Sequence, residues 1–323
     1  MGEMDQKVMT FSVIMPLYNK APYVEKAIRS VLEQTYPHYE LIVINDGSTD
    51  NSAEIAEKLL EGLSNTKLIK QQNSGVATTR NNGVALAKGE YICFLDADDW
   101  WDVSFLQEMN LFIQEYPDAG IWGTNYWYVK KGMTRLMNQH IPNGYIDFCK
   151  EHSTLAQVLW TGSVCILKSV YNDMNGFKPF LKLGEDFDLW IRVALRYKVA
   201  YLNKPLTYYN QNVDTLTRGT GKLHHPKNNM LWNLNYLENE EKKNPHYKQL
   251  IDRLRVYGLF NYYLSKEYHV LAKQELDKVD WSEQPMSIKK QYSKPIWYLR
   301  MKHNLTSALS YIKQFIIRNL FKK

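Results

Sequence analysis

Between residues 11 and 99 the chain alternates apolar runs of strand length with segments of helical periodicity, and few folds accommodate that rhythm. FSVIMPLYN (11–19) reads as a buried strand stopped by Pro16. Behind it, Val24, Ala27, Ile28 and Val31 recur at i, i+3, i+4 and i+7, with Pro22 where a proline suits a first helical turn. YELIVIND (39–46) is a second apolar run, of the kind found in sheets covered on both faces. NDGSTDNS then supplies turn and cap residues, and Ile55, Leu59 and Leu63 mark a second helix. TKLIKQQ (66–72) gives a third strand, SGVATTRNNGVALAKG (74–89) a helix closed by Gly89, and EYICFLDADD (90–99) a fourth strand. This order predicts an α/β layer with a mostly parallel, Rossmann-like sheet flanked by helices. Ligands of such sheets sit beyond the carboxyl ends of the strands, so residues 16–19, 46–48 and 96–99 are expected on one rim.

Past Trp101 the pattern is less regular. A helix is expected near 103–116, a hairpin over 121–137 with Gly132 in its turn, a strand and short helix over 160–177, and a helix led by acids over 184–197. From about 226 onward Leu, Tyr and Trp recur at helical spacing, which predicts an α-helical extension. The three cysteines are scattered without ligand spacing, so neither a disulfide framework nor a zinc site is expected. The first residues lack an apolar signal core, and no run of about 18 apolar residues occurs, so a spanning helix is not expected.

CFLDADDWW (93–101) sets three carboxylates directly behind an apolar run, where like charges repel and something positive is needed. A hard divalent ion would relieve Asp96 and Asp98: Mg²⁺ is held by one or two protein carboxylates while phosphate oxygens and water complete its octahedron. That geometry suits a nucleotide diphosphate. The competing reading is an acid cluster at a helix N-terminus, which fits Asp99 and Asp102 better than the other two.

The ordered set SVIMPLYN, LIVINDGSTD, NSGVATTRNNG, YICFLDADDWW and GEDFDLW resembles the inverting glycosyltransferases of family two, with the GT-A nucleotide-sugar fold, over about residues 11–215. The resemblance implies a catalytic domain at 1–225, with a nucleotide-sugar half (about 11–101) and an acceptor half (about 102–225), and a helical extension at 226–323. It implies that Pro16, Leu17 and Tyr18 cradle the nucleobase and that Asp46 accepts a hydrogen bond from it. On its own residues, Asp46 fits equally well as an Asx turn opening the GSTD loop. Arg80 matches an arginine reaching the nucleotide end of the donor, although alone it could be a helix-surface residue. Asp96 matches the acid beside ribose and metal, and Asp98 the direct ligand of Mg²⁺ or Mn²⁺.

GEDFDLW is implied to face the acceptor, with Asp186 as general base and Glu185 orienting it or binding an acceptor hydroxyl; Asp188 and Trp190 either line the acceptor pocket or merely pack. An unperturbed aspartate is already ionised at neutral pH, so it can serve as a base unaided. The segment 207–225 is placed as a loop closing over the diphosphate, where Arg218, Lys222, His224 or His225 could neutralise the leaving group; its GTGK lacks Walker spacing. The implied partners are a nucleotide-diphosphate sugar, UDP-linked first of all, and a glycan or lipid-linked acceptor in surface polysaccharide or glycolipid synthesis. A nucleotidyltransferase, or a non-catalytic sugar-nucleotide-binding scaffold subunit, is the alternative.

Net charge is +6, yet after Glu283 come nine Lys or Arg and no acid. In the last segment Leu305, Ala308, Leu309, Ile312, Phe315, Ile316 and Leu320 fall on one side of a helix, with Lys313, Arg318 and Lys322 off it. Two readings stand: a basic amphipathic helix at a membrane interface, or a stripe packed on protein. The expected location is cytoplasmic, with a peripheral contact on the inner face of the membrane. No nucleic-acid motif accompanies the charge.

Overall fold

A computed structural model describes residues 9–154, 157–213 and 223–305. Residues 1–233 and 234–323 form two compact units. In the first, the strands and helices follow in the order β1 Phe11–Leu17, α1 Val24–Leu32, β2 Tyr39–Asn45, α2 Ser52–Leu60, β3 Thr66–Lys70, α3 Val76–Leu86, β4 Tyr91–Phe94, β5 Trp100–Trp101, α4 Phe105–Glu115, β6 Ala119–Lys130 and β7 Met133–Leu136. They continue as β8 Gly144–Ile146, α5 Phe148–Ser153, β9 Val164–Leu167, α6 Lys168–Asp173, α7 Glu185–Ala194 and β10 Lys198–Asn210. The sheet runs β3-β2-β1-β4-β9-β6-β10-β5, with β7 on β6 and β8 on β10. Its longer pairings are parallel: β1 with β2, β2 with β3, and β6 with β10.

Strand β1 shows how the layers form. Its odd residues Phe11, Val13, Met15 and Leu17 enter a core with Val24, Ala27, Ile28 and Val31 of α1 and Phe105, Leu106 and Met109 of α4. Ile14, pointing the other way, lies under Gly83 of α3, where a Cβ would come within 2.3 Å of it. Burying apolar side chains on both faces suits a strand at the centre of a sheet.

Some boundaries differ from the sequence reading. β1 continues through Pro16 to Leu17, pairing Pro16 with Ile44 of β2, because β4 stops opposite Ile14 and only one neighbour remains alongside. Helix α3 ends at Leu86 rather than at Gly89. Gly89 is instead a point of close approach: its N–H donates to Ser12 Oγ at 2.8 Å, and a Cβ there would lie 2.7 Å from the backbone of Phe11 and Ser12. Residues 207–210, placed in a loop, finish strand β10, and residues 214–222, with Arg218 and Lys222, lie outside the described residues.

In the second unit α8 (Glu238–Lys243), α9 (Pro245–Gly258), α10 (Phe260–Leu264), α11 (His269–Leu276) and α12 (Met286–Tyr292) are followed by helical residues 296–305. Arg255 is buried here against Glu241 at 2.8 Å. No helix among the described residues is long and apolar enough to cross a membrane. The amphipathic stretch read at 305–323 lies, from 306 on, outside the described residues.

Candidate active site

The loops behind β1, β2 and β4 and the start of α7 enclose a cleft of about 610 Å³. Pro16, Leu17, Tyr18, Asp46, Arg80, Asp96, Asp98, Glu185 and Asp186 all line it. The loop after β1 is stapled to the loop after β2. Asn19, in the left-handed region at φ 51°, donates its N–H to Ser48 Oγ (3.1 Å) and accepts from Thr49 N through Oδ1 (2.8 Å), and Lys20 N donates to Ser52 Oγ (2.8 Å). This seats Lys20 so that its ammonium donates to Asp98 Oδ2 at 2.8 Å.

Asp46 is buried, and groups of the loop after β3 hold its carboxylate. Oδ1 accepts from Gln71 Nε2 and from Ser74 N, each at 2.8 Å, and Oδ2 accepts from Gly75 N at 3.0 Å. The Asx turn into the GSTD loop belongs to its neighbour: Asn45 Oδ1 accepts from Ser48 N at 3.1 Å. Arg80 is not a surface residue. With its side chain 4% exposed, it donates from Nη2 to Asp96 Oδ1 (2.7 Å) and from Nη1 to Glu185 Oε1 (3.2 Å), while Nε finds no acceptor among the described residues. Burial disfavours the cation, but the carboxylates of Asp96 and Glu185 outweigh it and hold the guanidinium protonated above its ordinary range.

Helix α7 opens from Gly184, left-handed at φ 77°, which turns its first acids into the cleft. Burial, and then the charge of Asp186, push the Glu185 carboxyl up to about 7 against the pull of Arg80. Asp186 accepts from Thr161 Oγ1 through Oδ2 at 3.0 Å and from Phe187 N through Oδ1 at 2.7 Å. Of the weaker candidates, Asp188 is fully buried and ties Lys178 (2.8 Å) to Arg192 (2.8 Å), and Trp190 packs in the core near Phe94 and Phe177. Both anchor the helix and neither lines the cleft. Asp99 is buried and accepts from Asn210 N at 2.7 Å, locking the acidic turn to the end of β10. Asp102 accepts from Ser104 N at the start of α4, as the helix-end reading expects. His224 and His225 do not line the cleft.

The sequence reading missed several residues. Lys20, Gln71 and Thr161 carried no motif signal of their own, although Lys20 stands two places after Tyr18, and Gly75, inside the NSGVATTRNNG motif, was given no role. Trp160 and Tyr209, with ring centroids 4.6 Å apart, and Lys182 also line the cleft.

A divalent cation fits the donor chemistry here. Among the described residues six acids (Asp46, Asp96, Asp98, Asp99, Glu185, Asp186) and three bases (Lys20, Arg80, Lys182) line the cleft, an excess of hard oxygen donors. No three His, Cys, Asp or Glu side chains among the described residues converge into a cage.

The profile of glycosyl transferase family 2 matches residues 12–168. Glycosyltransferase GlyA of Streptococcus pneumoniae is 31% identical over 218 residues, 64% of this chain and 31% of that protein, so the chain spans about a third of that relative's length. Glycosyltransferase GlyG of the same organism is 26% identical over 228 residues, 64% of this chain and 72% of that protein. TarS 1–349 of Staphylococcus aureus, solved with UDP-GlcNAc, superposes with a TM-score of 0.71 at 20% identity, covering 91% of this chain and 88% of that one, and this likeness shows the fold to be GT-A. Residues 12–168 carry the sequence signature of glycosyl transferase family 2.

Proposed function

We propose that the chain transfers a sugar from a nucleotide-diphosphate donor, a UDP-sugar, to a hydroxyl of a glycan or lipid-linked acceptor, in one displacement with inversion. One observation carries this reading: Arg80 ties Asp96 of the donor-side turn to Glu185 of α7, so two acid motifs 89 residues apart in sequence share a single cleft. TarS, of the same fold, binds UDP-GlcNAc, which supports the donor class.

The roles divide by position. Pro16, Leu17 and Tyr18 wall the nucleobase, and Asp46, fixed by Ser74 N and Gly75 N, keeps acceptor capacity for an imide N–H of the base. Asp98, with Asp96, would hold Mg²⁺ or Mn²⁺, which when bound offsets charge growing on the leaving diphosphate. Asp186, oriented by Thr161, takes the proton of the acceptor hydroxyl as its oxygen bonds to the anomeric carbon and the bond to the diphosphate oxygen breaks. In this reading Asp186 alone acts as base, on the acceptor side, so attack comes opposite the leaving group and the configuration inverts. Glu185 steadies that side through Arg80. Trp160 and Tyr209 offer ring faces to the acceptor.

Thermal stabilisation by UDP-sugars, with and without Mg²⁺ or Mn²⁺, tests donor binding, since a ligand bound only by the folded state raises Tm. Asp98→Ala is expected to lose the metal-dependent part of that shift. Asp186→Asn is expected to keep donor binding and lose about 10²-fold or more of transfer, and the anomeric proton coupling of the product should report inversion. Unimpaired turnover in Asp186→Asn would remove it as the base.

A further inference from the structure

The acidic turn behind β4 calls for positive charge, and the chain supplies some of its own. Asp96 Oδ1 accepts from Arg80 Nη2 at 2.7 Å, Asp99 accepts from Asn210 N at 2.7 Å, and Asp98 Oδ2 accepts from the Lys20 ammonium at 2.8 Å. The last pair engages the carboxylate proposed above to hold the divalent ion. Its two side chains are only 14% and 12% exposed, so it is not a surface ion pair that water readily replaces. An ion about 2.1 Å from either oxygen of Asp98 would stand within roughly 6 Å of that ammonium. Positive centres at such range repel where water is scarce, and one carboxylate cannot answer both. A resident cation must therefore give way. Arg80 is held: its guanidinium also donates to Glu185 Oε1 (3.2 Å), its Cζ lies 5.3 Å from the ring centroid of Phe177, and its side chain is 4% exposed. Lys20 is fixed through its backbone, its N–H donating to Ser52 Oγ (2.8 Å) and its carbonyl accepting from Tyr23 N (2.8 Å) and Val24 N (2.9 Å). The flexible four-carbon stem leaves its ammonium able to move while that backbone stays.

We propose that Lys20 competes with the divalent ion for Asp98 and swings aside when the ion binds, so that this one lysine sets the concentration at which the cleft takes up metal. The proposal rests on the reading of Asp98 as metal ligand and goes beyond it by naming the group the ion must displace. It gives the lysine two effects of opposite use. Paired with Asp98, the ammonium relieves the repulsion among three acids packed into four positions. By the same contact it raises the amount of ion needed to replace it, because an ion gains Asp98 only at the expense of an existing, partly desolvated ion pair.

The test measures Mn²⁺ binding to the full-length chain from the electron paramagnetic resonance signal of the free ion, a readout that needs no turnover. A charge within a few ångströms changes the occupancy of a neighbouring carboxylate by about tenfold or more, so Lys20→Met is expected to bind Mn²⁺ at least about tenfold tighter than the parent. Lys20→Arg, which keeps the charge, should bind no tighter than the parent, and adding Asp98→Asn to Lys20→Met should abolish the binding. The Tm of each variant is measured, and Lys20→Gln replaces Lys20→Met should the latter unfold. A second measurement leaves the chain intact: in protein carrying isotope-labelled lysine, the Lys20 ammonium resonance, assigned by its loss in Lys20→Arg, should shift on titration with Mg²⁺. If Asp98→Asn abolishes binding but Lys20→Met binds no tighter than the parent, the proposal falls while the metal reading stands. Binding that survives Asp98→Asn, or no binding to any of these proteins, overturns both. Equal tightening in Lys20→Met and Lys20→Arg, or a Lys20 resonance that stays put at saturating Mg²⁺, overturns the proposal alone.

Discussion

Arg80 holds the charge balance of the active-site cleft. One guanidinium serves Asp96 at 2.7 Å and Glu185 at 3.2 Å with almost no exposure, so removing it strands two carboxylates in a poorly solvated place. Arg80→Met is expected to cost about 3 kcal/mol, the lower end of the usual range, because Asp96 keeps a third of its side chain in water. The loss should grow with pH. In the folded state Glu185 already titrates near 7, above its unfolded value of 4.5, and without Arg80 its carboxyl rises further. Such a group holds its proton in the folded state while the unfolded chain has lost it, so stability falls as pH climbs through that window. Urea denaturation of the variant at pH 6 and pH 8 measures this; equal losses at both would contradict the assignment. The acids were legible in the sequence because each stands in a motif at a strand end or helix start. Lys20 and Thr161 were not, because their roles exist only through folded proximity: Lys20 meets Asp98 across 78 residues, and Thr161 meets Asp186 across 25.

At the level of elements, glycines set how closely the chain passes over β1. A methyl group on Gly89 would lie 2.7 Å from Phe11 C and Ser12 N, both backbone atoms that cannot move aside cheaply. Gly89→Ala is therefore expected to destabilise by about 1–3 kcal/mol, read from the chemical denaturation midpoint. An unchanged midpoint would show that the turn before β4 is not seated as described. This glycine also shows what periodicity misses. Read as the end of α3, it terminates nothing, and its use lies in tertiary contact. The alternation from β1 to β4 was legible because each element packs on others close to it in the chain. β10 escaped notice because Pro205 interrupts its pattern, with register shifts on both sides, and because its partners β5, β6 and β8 lie far earlier in the sequence.

For the molecule as a whole, acid sensitivity should follow His152. Its ring lies 4.3 Å from that of Phe187 and 5.2 Å from that of Phe148, and its Nδ1 is sealed without a partner among the described residues. Desolvation lowers its pKa to about 3. Below about pH 6.5 the unfolded chain takes a proton that the folded one refuses, so stability drops as pH falls, by at most about 1.4 kcal/mol per unit. His152 as a residue is only partly buried, so the real slope lies below that ceiling. His152→Phe should lose less stability between pH 7 and pH 5 than the parent by up to about 2 kcal/mol in urea titrations. Parallel acid limbs in the two proteins would exclude this histidine as the cause. The division into two units and the charge asymmetry also belong to this scale: in a chain of net charge +6 the described lining of the candidate cleft is acidic, while nine bases and no acid follow Glu283. With twice as many acids as bases among the described residues that line that cleft, the anionic donor proposed above would enter against the local field unless positive charge arrives with it. Cation and substrate affinity are then two faces of one coupling constant, each raising the other by the same factor.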